Sequence, residues 1–171
     1  MSQNSEPIIN RVAQSKLITF NLEDYYPQGK RVLFDISDWL YEGIILREKE
    51  FRVHTETHDW AQYRDAFVAL YCSTDAIVPG WAYMLLTTKL QPFSKKTVQG
   101  TLEQLETSLY QSVLEHLDVT EFKDKSVIIK GCSNKPVPLN AYLLITERLR
   151  PIVKSLMYGE ACSSVPLHKR K

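Results

Sequence analysis

Residues 70–100, LYCSTDAIVPGWAYMLLTTKLQPFSKKTVQG, recur in altered form as residues 129–159, IKGCSNKPVPLNAYLLITERLRPIVKSLMYG. The Cys-Ser pair at 72–73 returns at 132–133, and both copies end on glycine. The identical residues that stand 59 positions from their counterparts include Val78, Pro79, Ala82, Tyr83, Leu85, Thr87, Leu90, Pro92 and Gly100. This ordered agreement indicates an internal duplication.

Each copy has the pattern of a βαβ unit. A short apolar run rich in β-branched residues precedes each cysteine, which is typical of a strand buried on both faces. An apolar-periodic segment follows, at 81–90 in the first copy and 139–149 in the second, and a proline stands at both of its ends. A short strand then closes on glycine. We therefore predict duplicated βαβ units at residues 66–100 and 125–159.

The rest of the chain is assigned around these units. Apolar residues recur at helical spacing over residues 101–119, and Thr101 with Gln104 has the form of a capping box, so a helix is predicted there. Residues 1–60 read as an N-terminal extension with two strands and a charged surface helix. The length of 171 residues and the hydrophobic fraction of 44% are typical of one globular domain. We predict a single α/β domain over residues 1–171.

The predicted topology brings the cysteines together. Two right-handed βαβ units normally pack with their first strands adjacent, which gives a four-stranded parallel open sheet of order 2-1-3-4. Cys72 and Cys132 would then end the two central strands, where ligands of open α/β sheets bind. Cys162 follows the last predicted strand on the same rim.

Three thiols near helix N-termini, whose positive ends favour thiolate, predict a site for a soft cation. Zinc and an iron–sulfur cluster are the candidate cofactors. Asp75, three residues after Cys72, is the favoured fourth ligand, with His168 or solvent as alternatives. The leading hypothesis is therefore a metal or iron–sulfur binding protein with ligands Cys72, Cys132 and Cys162.

Two other functions remain open. Cys72 or Cys132 could be the nucleophile of an enzyme of acyl or sulfur transfer, activated by the adjacent helix end. The chain could instead be an interaction module without chemistry. In that case the cysteines simply fill space at strand ends, and Asp75 caps a helix.

Composition excludes several classes. The formal net charge is +1, from 21 basic and 20 acidic residues, so the dense cationic surface of a nucleic-acid binder is not indicated. The N-terminus lacks the pattern of a secretory signal, and no apolar run is long enough to span a membrane, so a cytoplasmic protein is expected. An edge strand on a small open sheet favours a homodimer.

Several stretches resemble a bacterial family catalogued as domain of unknown function 2480. They are YCSTDAIVPGWAYMLL, IIKGCSNKPVPLNAY, SLMYGEACSSVP and LEDYYPQGKRVLFDISDWL, and the resemblance extends from about residue 9 to residue 169. It implies no activity and assigns no catalytic residues. A setting of family genes near those for iron–sulfur cluster assembly would favour a role in iron–sulfur metabolism and a metal or cluster delivery protein as partner.

Overall fold

A computed structural model describes residues 17–131, 134–160 and 162–170. Within them the chain has the predicted α/β class, with four α-helices and two sheets. In chain order the elements are β1 (Leu17–Phe20), β2 (Arg31–Asp35), α1 (Glu48–Thr57), β3 (Phe67–Tyr71), α2 (Gly80–Leu90), β4 (Lys96–Gln99), α3 (Leu102–Glu115), β5 (Ser126–Lys130), α4 (Leu139–Leu149), β6 (Ser155–Glu160) and β7 (Ser163–Lys169).

The chain forms two compact units. The inner unit is Pro27–Val113, and the outer unit consists of the described residues up to Tyr26 together with those from Leu114 onward. The inner unit is therefore inserted, along the chain, between β1 and the rest of the outer unit. The predicted single domain over residues 1–171 stays a prediction.

The inner unit is built on a parallel sheet of order β2-β3-β4. The central strand β3 is buried on both faces, as its unbroken apolar run predicts. Helices α1 and α2 share one apolar core with alternate residues of the sheet, including Val68 and Leu70. Helix α3 packs on the opposite residues, Phe67 and Ala69.

The outer unit is built on a mixed sheet of order β1-β5-β6-β7. Strands β1, β5 and β6 are parallel, and β7 pairs antiparallel with β6, with a β-bulge opposite Leu156 and Met157. Strand β5 is buried along its middle residues, and α4 buries one apolar stripe, Ala141, Ile145 and Leu149.

The two units repeat each other in detail. Phe67 pairs with Lys96 in the inner sheet, and their counterparts 59 residues later, Ser126 and Ser155, pair in the same register in the outer sheet. Two matched aspartates adopt the left-handed conformation, Asp65 with φ of 60° and Asp124 with φ of 58°. Each unit also begins with a strand from the predicted extension, which lies at the edge beside its first βαβ strand.

The prediction of one four-stranded parallel sheet of order 2-1-3-4 is wrong. The two βαβ copies lie in separate sheets, because β2 pairs with β3 and β1 pairs with β5. In each sheet the parallel strands follow in chain order, so neither has the reversal of strand order that forms a switch-point crevice. The antiparallel strand β7 was not predicted.

Candidate functional site

The described members of the predicted site follow strands of two different sheets. Cys72 follows β3 in the inner unit and is half-buried, whereas Asp75 is exposed in the loop after it. Cys162 is exposed in the turn between β6 and β7 of the outer unit. Cys132 lies outside the described residues.

The prediction of a metal or iron–sulfur binding protein is wrong. Among residues 17–131, 134–160 and 162–170, no three His, Cys, Asp or Glu side chains are grouped so that they could hold a metal ion. The physical reason is the topology. The prediction needed β3 and β5 as neighbours in one sheet, and they belong to different sheets.

Cys72 makes hydrogen bonds with one neighbour. Its Sγ donates to the carbonyl oxygen of Thr74 over 3.6 Å and lies 3.4 Å from Thr74 Oγ1. A nucleophilic cysteine is typically activated by a nearby basic group. No basic side chain is among the described hydrogen-bond partners of Cys72, so this geometry does not favour a nucleophile.

Asp35 cross-links the ends of β2 and β3. Its Oδ1 accepts from the backbone N–H of Ser37 and of Ser73, each over 3.0 Å, and the two serine hydroxyls lie 2.9 Å apart. Partial burial raises the pKa of Asp35, but these hydrogen bonds together outweigh burial and hold the pKa below its ordinary value. The carboxylate is thus occupied in joining two strands.

Glu23 has the corresponding role in the outer unit. Its Oε1 accepts from the backbone N–H of Asn134 and of Lys135, the latter over 2.8 Å, in the loop after β5. The Lys130 ammonium lies 3.9 Å from the other carboxylate oxygen. In both units a carboxylate near the end of the first strand therefore fixes the loop that follows the second. We interpret both contacts as structural.

An open apolar groove of about 550 Å³ lies beside the loop after β3 in the inner unit. One wall is a tight turn in which Tyr41 and Ile45 exchange backbone hydrogen bonds, with Glu42 and Gly43 both at positive φ. Thr74 Oγ1 donates to the Gly43 carbonyl over 2.6 Å and so joins this wall to the loop. We call this surface the Ile77 groove; its lining is Ile44, Ile45, Leu46, Asp75, Ala76, Ile77 and Pro79.

The apolar side chains of the Ile77 groove face solvent to an unusual degree. Ile77 is 93% exposed, Ile44 is 54% exposed and Ile45 is 48% exposed. Clustered exposed aliphatic side chains are typical of contact surfaces, whereas single ones need no explanation. The Asp75 carboxylate adds one negative charge to the lining. The groove can therefore bury an apolar segment and pair with a cation beside it.

The groove was not predicted from the sequence, although the repeat contains a signal for it. Ile77 aligns with Pro136 at the repeat offset, while the flanking Val and Pro are retained in both copies. An isoleucine that its own duplicate replaces by proline is not required by the shared fold. The turn that carries Ile44 and Ile45 gives no such signal, because nothing in the sequence places it beside Ile77.

The fold defines a class of α/β protein with an internal duplication, in which the unit with the first copy is inserted along the chain within the unit with the second. Polar groups near the strand ends bond to one another, and the inner unit exposes an apolar groove. The chain belongs to the family described as protein of unknown function (DUF2480), which it matches over residues 6–170. The family resemblance seen in the sequence is thereby confirmed. No curated protein matches the chain, and no solved structure matches it. No helix in the described ranges is both long and apolar enough to cross a membrane.

Proposed function

We propose that this protein is a non-catalytic binding module that holds an apolar segment of a partner protein in the Ile77 groove. The observation that carries the proposal is the 93% exposure of Ile77 beside two further exposed isoleucines. Burying one such side chain contributes about 2 kcal/mol, so a cluster of them can supply the core of an interface.

The hydrogen bonds of the polar groups in the inner unit favour a binding function over a catalytic one. The thiol of Cys72 donates to Thr74, and the carboxylate of Asp35 accepts from two backbone N–H groups. Groups bonded in this way hold loops in place and are not poised to attack or to transfer a proton. The hydrogen bond from Thr74 to Gly43 fixes one wall of the groove, and a preformed surface loses less conformational entropy on binding.

The negative charge of the groove lining indicates which partner segment would bind. Asp75 is exposed, lines the groove and has no ion pair among the described residues. A lysine or arginine of the partner would satisfy this carboxylate, whereas an acidic side chain would be repelled. The expected occupant is therefore an apolar stretch with one basic residue.

A peptide array tests the proposal directly. The probes are short labelled peptides of alternating isoleucine, leucine and phenylalanine with one central arginine, and matched peptides with glutamate in its place. Fluorescence anisotropy should show binding of the arginine set and weaker binding of the glutamate set. Ile77→Ser should weaken binding about 10-fold or more, because the buried aliphatic contact is lost.

Met84→Ser is the matched control. Met84 is 71% exposed on α2 in the same unit, and it does not line the groove. This variant should bind the arginine peptides as the unaltered chain does. Failure of every peptide to bind, equal binding of the two sets, or equal losses in the two variants would overturn the proposal.

A further inference from the structure

A second cavity, of about 410 Å³, lies in the outer unit and carries a different chemistry. We call it the basic cavity; its lining is Ser126, Lys154, Ser155, Met157, Pro166, His168 and Lys169. Its volume is within the range of small-ligand sites. Two lysines and a histidine line it, and no acidic side chain of the described residues does.

The sheet register explains how three of these groups converge. Ser126 on β5 pairs with Ser155 on β6, which pairs in turn with Lys169 on β7. Side chains at paired positions project from the same face of a sheet, so two hydroxyls and one ammonium form a row across three strands. Along the same face, Met157 pairs with Pro166 and gives an apolar floor.

The internal duplicate shows that the fold does not require this cavity. The counterpart of Ser126 in the inner unit is Phe67, which packs in a core with Leu105 and Leu109 of α3. The counterpart of Ser155 is Lys96, whose Nζ donates to the Ser108 carbonyl over 2.9 Å and to Ser112 Oγ over 2.6 Å. In the inner unit, α3 therefore covers this face of the sheet. In the outer unit, the corresponding face lines the basic cavity.

Strand β7 completes the difference between the units. It has no counterpart in the described part of the inner unit, whose sheet ends at β4, and it supplies both His168 and Lys169. The nearby Arg170 is already paired with Asp124. Lys154 and Lys169 make no described ion pair, so their charges are available to a ligand.

We propose that the basic cavity binds a phosphate monoester. A phosphoryl group brings close to two negative charges and three acceptor oxygens, which match two ammonium groups and two hydroxyls. The organic part of the ester would lie on Met157 and Pro166. A nucleic-acid strand fits less well, because the cavity is small and the formal net charge of the chain is only +1.

Calorimetric titration of the full chain with phenyl phosphate at low salt tests this assignment. Phenyl phosphate should bind with a Kd of about 1 mM or tighter, inorganic phosphate more weakly, and benzoate at least about 10-fold more weakly, because benzoate carries one charge and two acceptors. Lys154→Met and Lys169→Met should each weaken phenyl phosphate binding about 10-fold, since each loses a charge-assisted hydrogen bond.

Lys123→Met is the matched control, because it removes one exposed positive charge of the same unit outside the cavity. It should change the Kd less than about 2-fold, as expected for a screened distant charge. Absence of phenyl phosphate binding, equal binding of benzoate, or an equal loss in Lys123→Met would overturn the assignment. The Ile77 groove is not involved in this test, so its outcome is independent of the proposed function.

Discussion

Gly100 and Gly159 occupy matched positions in the two βαβ copies, directly after β4 and next to the last residue of β6, and both have positive φ, of 133° and 118°. Their surroundings differ. A Cβ on Gly159 would lie 2.6 Å from the backbone oxygen of Ser163, whereas a Cβ on Gly100 would first meet the side chain of Gln104. Backbone cannot move away as a flexible side chain can. Replacing Gly159 is therefore expected to lower stability more than replacing Gly100.

We predict that Gly159→Ala lowers the free energy of unfolding by about 2 kcal/mol or more, because backbone strain and the clash with β7 add. Gly100→Ala should cost about 1 kcal/mol, since Gln104 can rotate at the loss of its hydrogen bond to the Thr101 N–H. Urea denaturation of both variants gives the comparison. A larger loss in Gly100→Ala would contradict the argument.

At the scale of elements, one buried ion pair joins β2 to α3 in the inner unit. Arg31 Nε lies 2.6 Å from Glu106 Oε1, and Arg31 Nη2 lies 3.1 Å from Glu106 Oε2. The two side chains are only 12% and 7% exposed. A bidentate pair of this kind fixes how the helix lies on the sheet, and it leaves a costly buried charge when one partner is removed.

Glu106→Ala should therefore lower the free energy of unfolding by about 3–5 kcal/mol. The double variant Arg31→Met with Glu106→Leu should be more stable than Glu106→Ala, because no buried charge remains. A double-mutant cycle by chemical denaturation measures both.

The exposed pair of Arg52 and Glu48 is the control for this cycle, and Glu48→Ala should cost less than about 1 kcal/mol. A Glu106→Ala variant as stable as the Glu48→Ala variant would show that the buried pair does not hold α3 in place.

At the scale of the whole molecule, an aromatic cluster in the inner unit makes stability depend on pH. The His58 ring packs edge-on against Trp60, with centroids 4.7 Å apart, and its Nε2 lies 2.8 Å from the Tyr63 hydroxyl. Burial lowers the pKa of His58, and the Asp59 carboxylate offsets only part of that effect. The folded protein therefore binds a proton on this ring less readily than the unfolded chain does.

Because the pKa is lower in the folded state, the stabilisation from neutral His58 is complete above the unfolded value of about 6.5 and is lost as pH falls below it. We predict that the free energy of unfolding decreases between pH 7 and about pH 5. The decrease should be smaller in His58→Gln, which has no group that titrates in this range. Denaturation midpoints of both proteins are measured across these pH values. An equal dependence of the midpoint on pH in the two proteins would contradict the role of His58.

The sequence by itself determined the α/β class, the helices α2, α3 and α4, and the strands on either side of α2 and α4. These are local properties: apolar periodicity, prolines at helix ends and glycines at positive φ are all written within a few residues. The constant offset of 59 residues between the copies also agrees with the equal strand register of the two βαβ units.

Only the tertiary structure decided which strands pair and which side chains meet. β1 and β2 are short strands that could join either copy, so their pairing depends on contacts between residues far apart in the chain. That choice placed β3 and β5 in different sheets and removed the basis for the metal prediction. The Ile77 groove and the basic cavity likewise each combine separate chain segments, and no local pattern in the sequence records such a meeting.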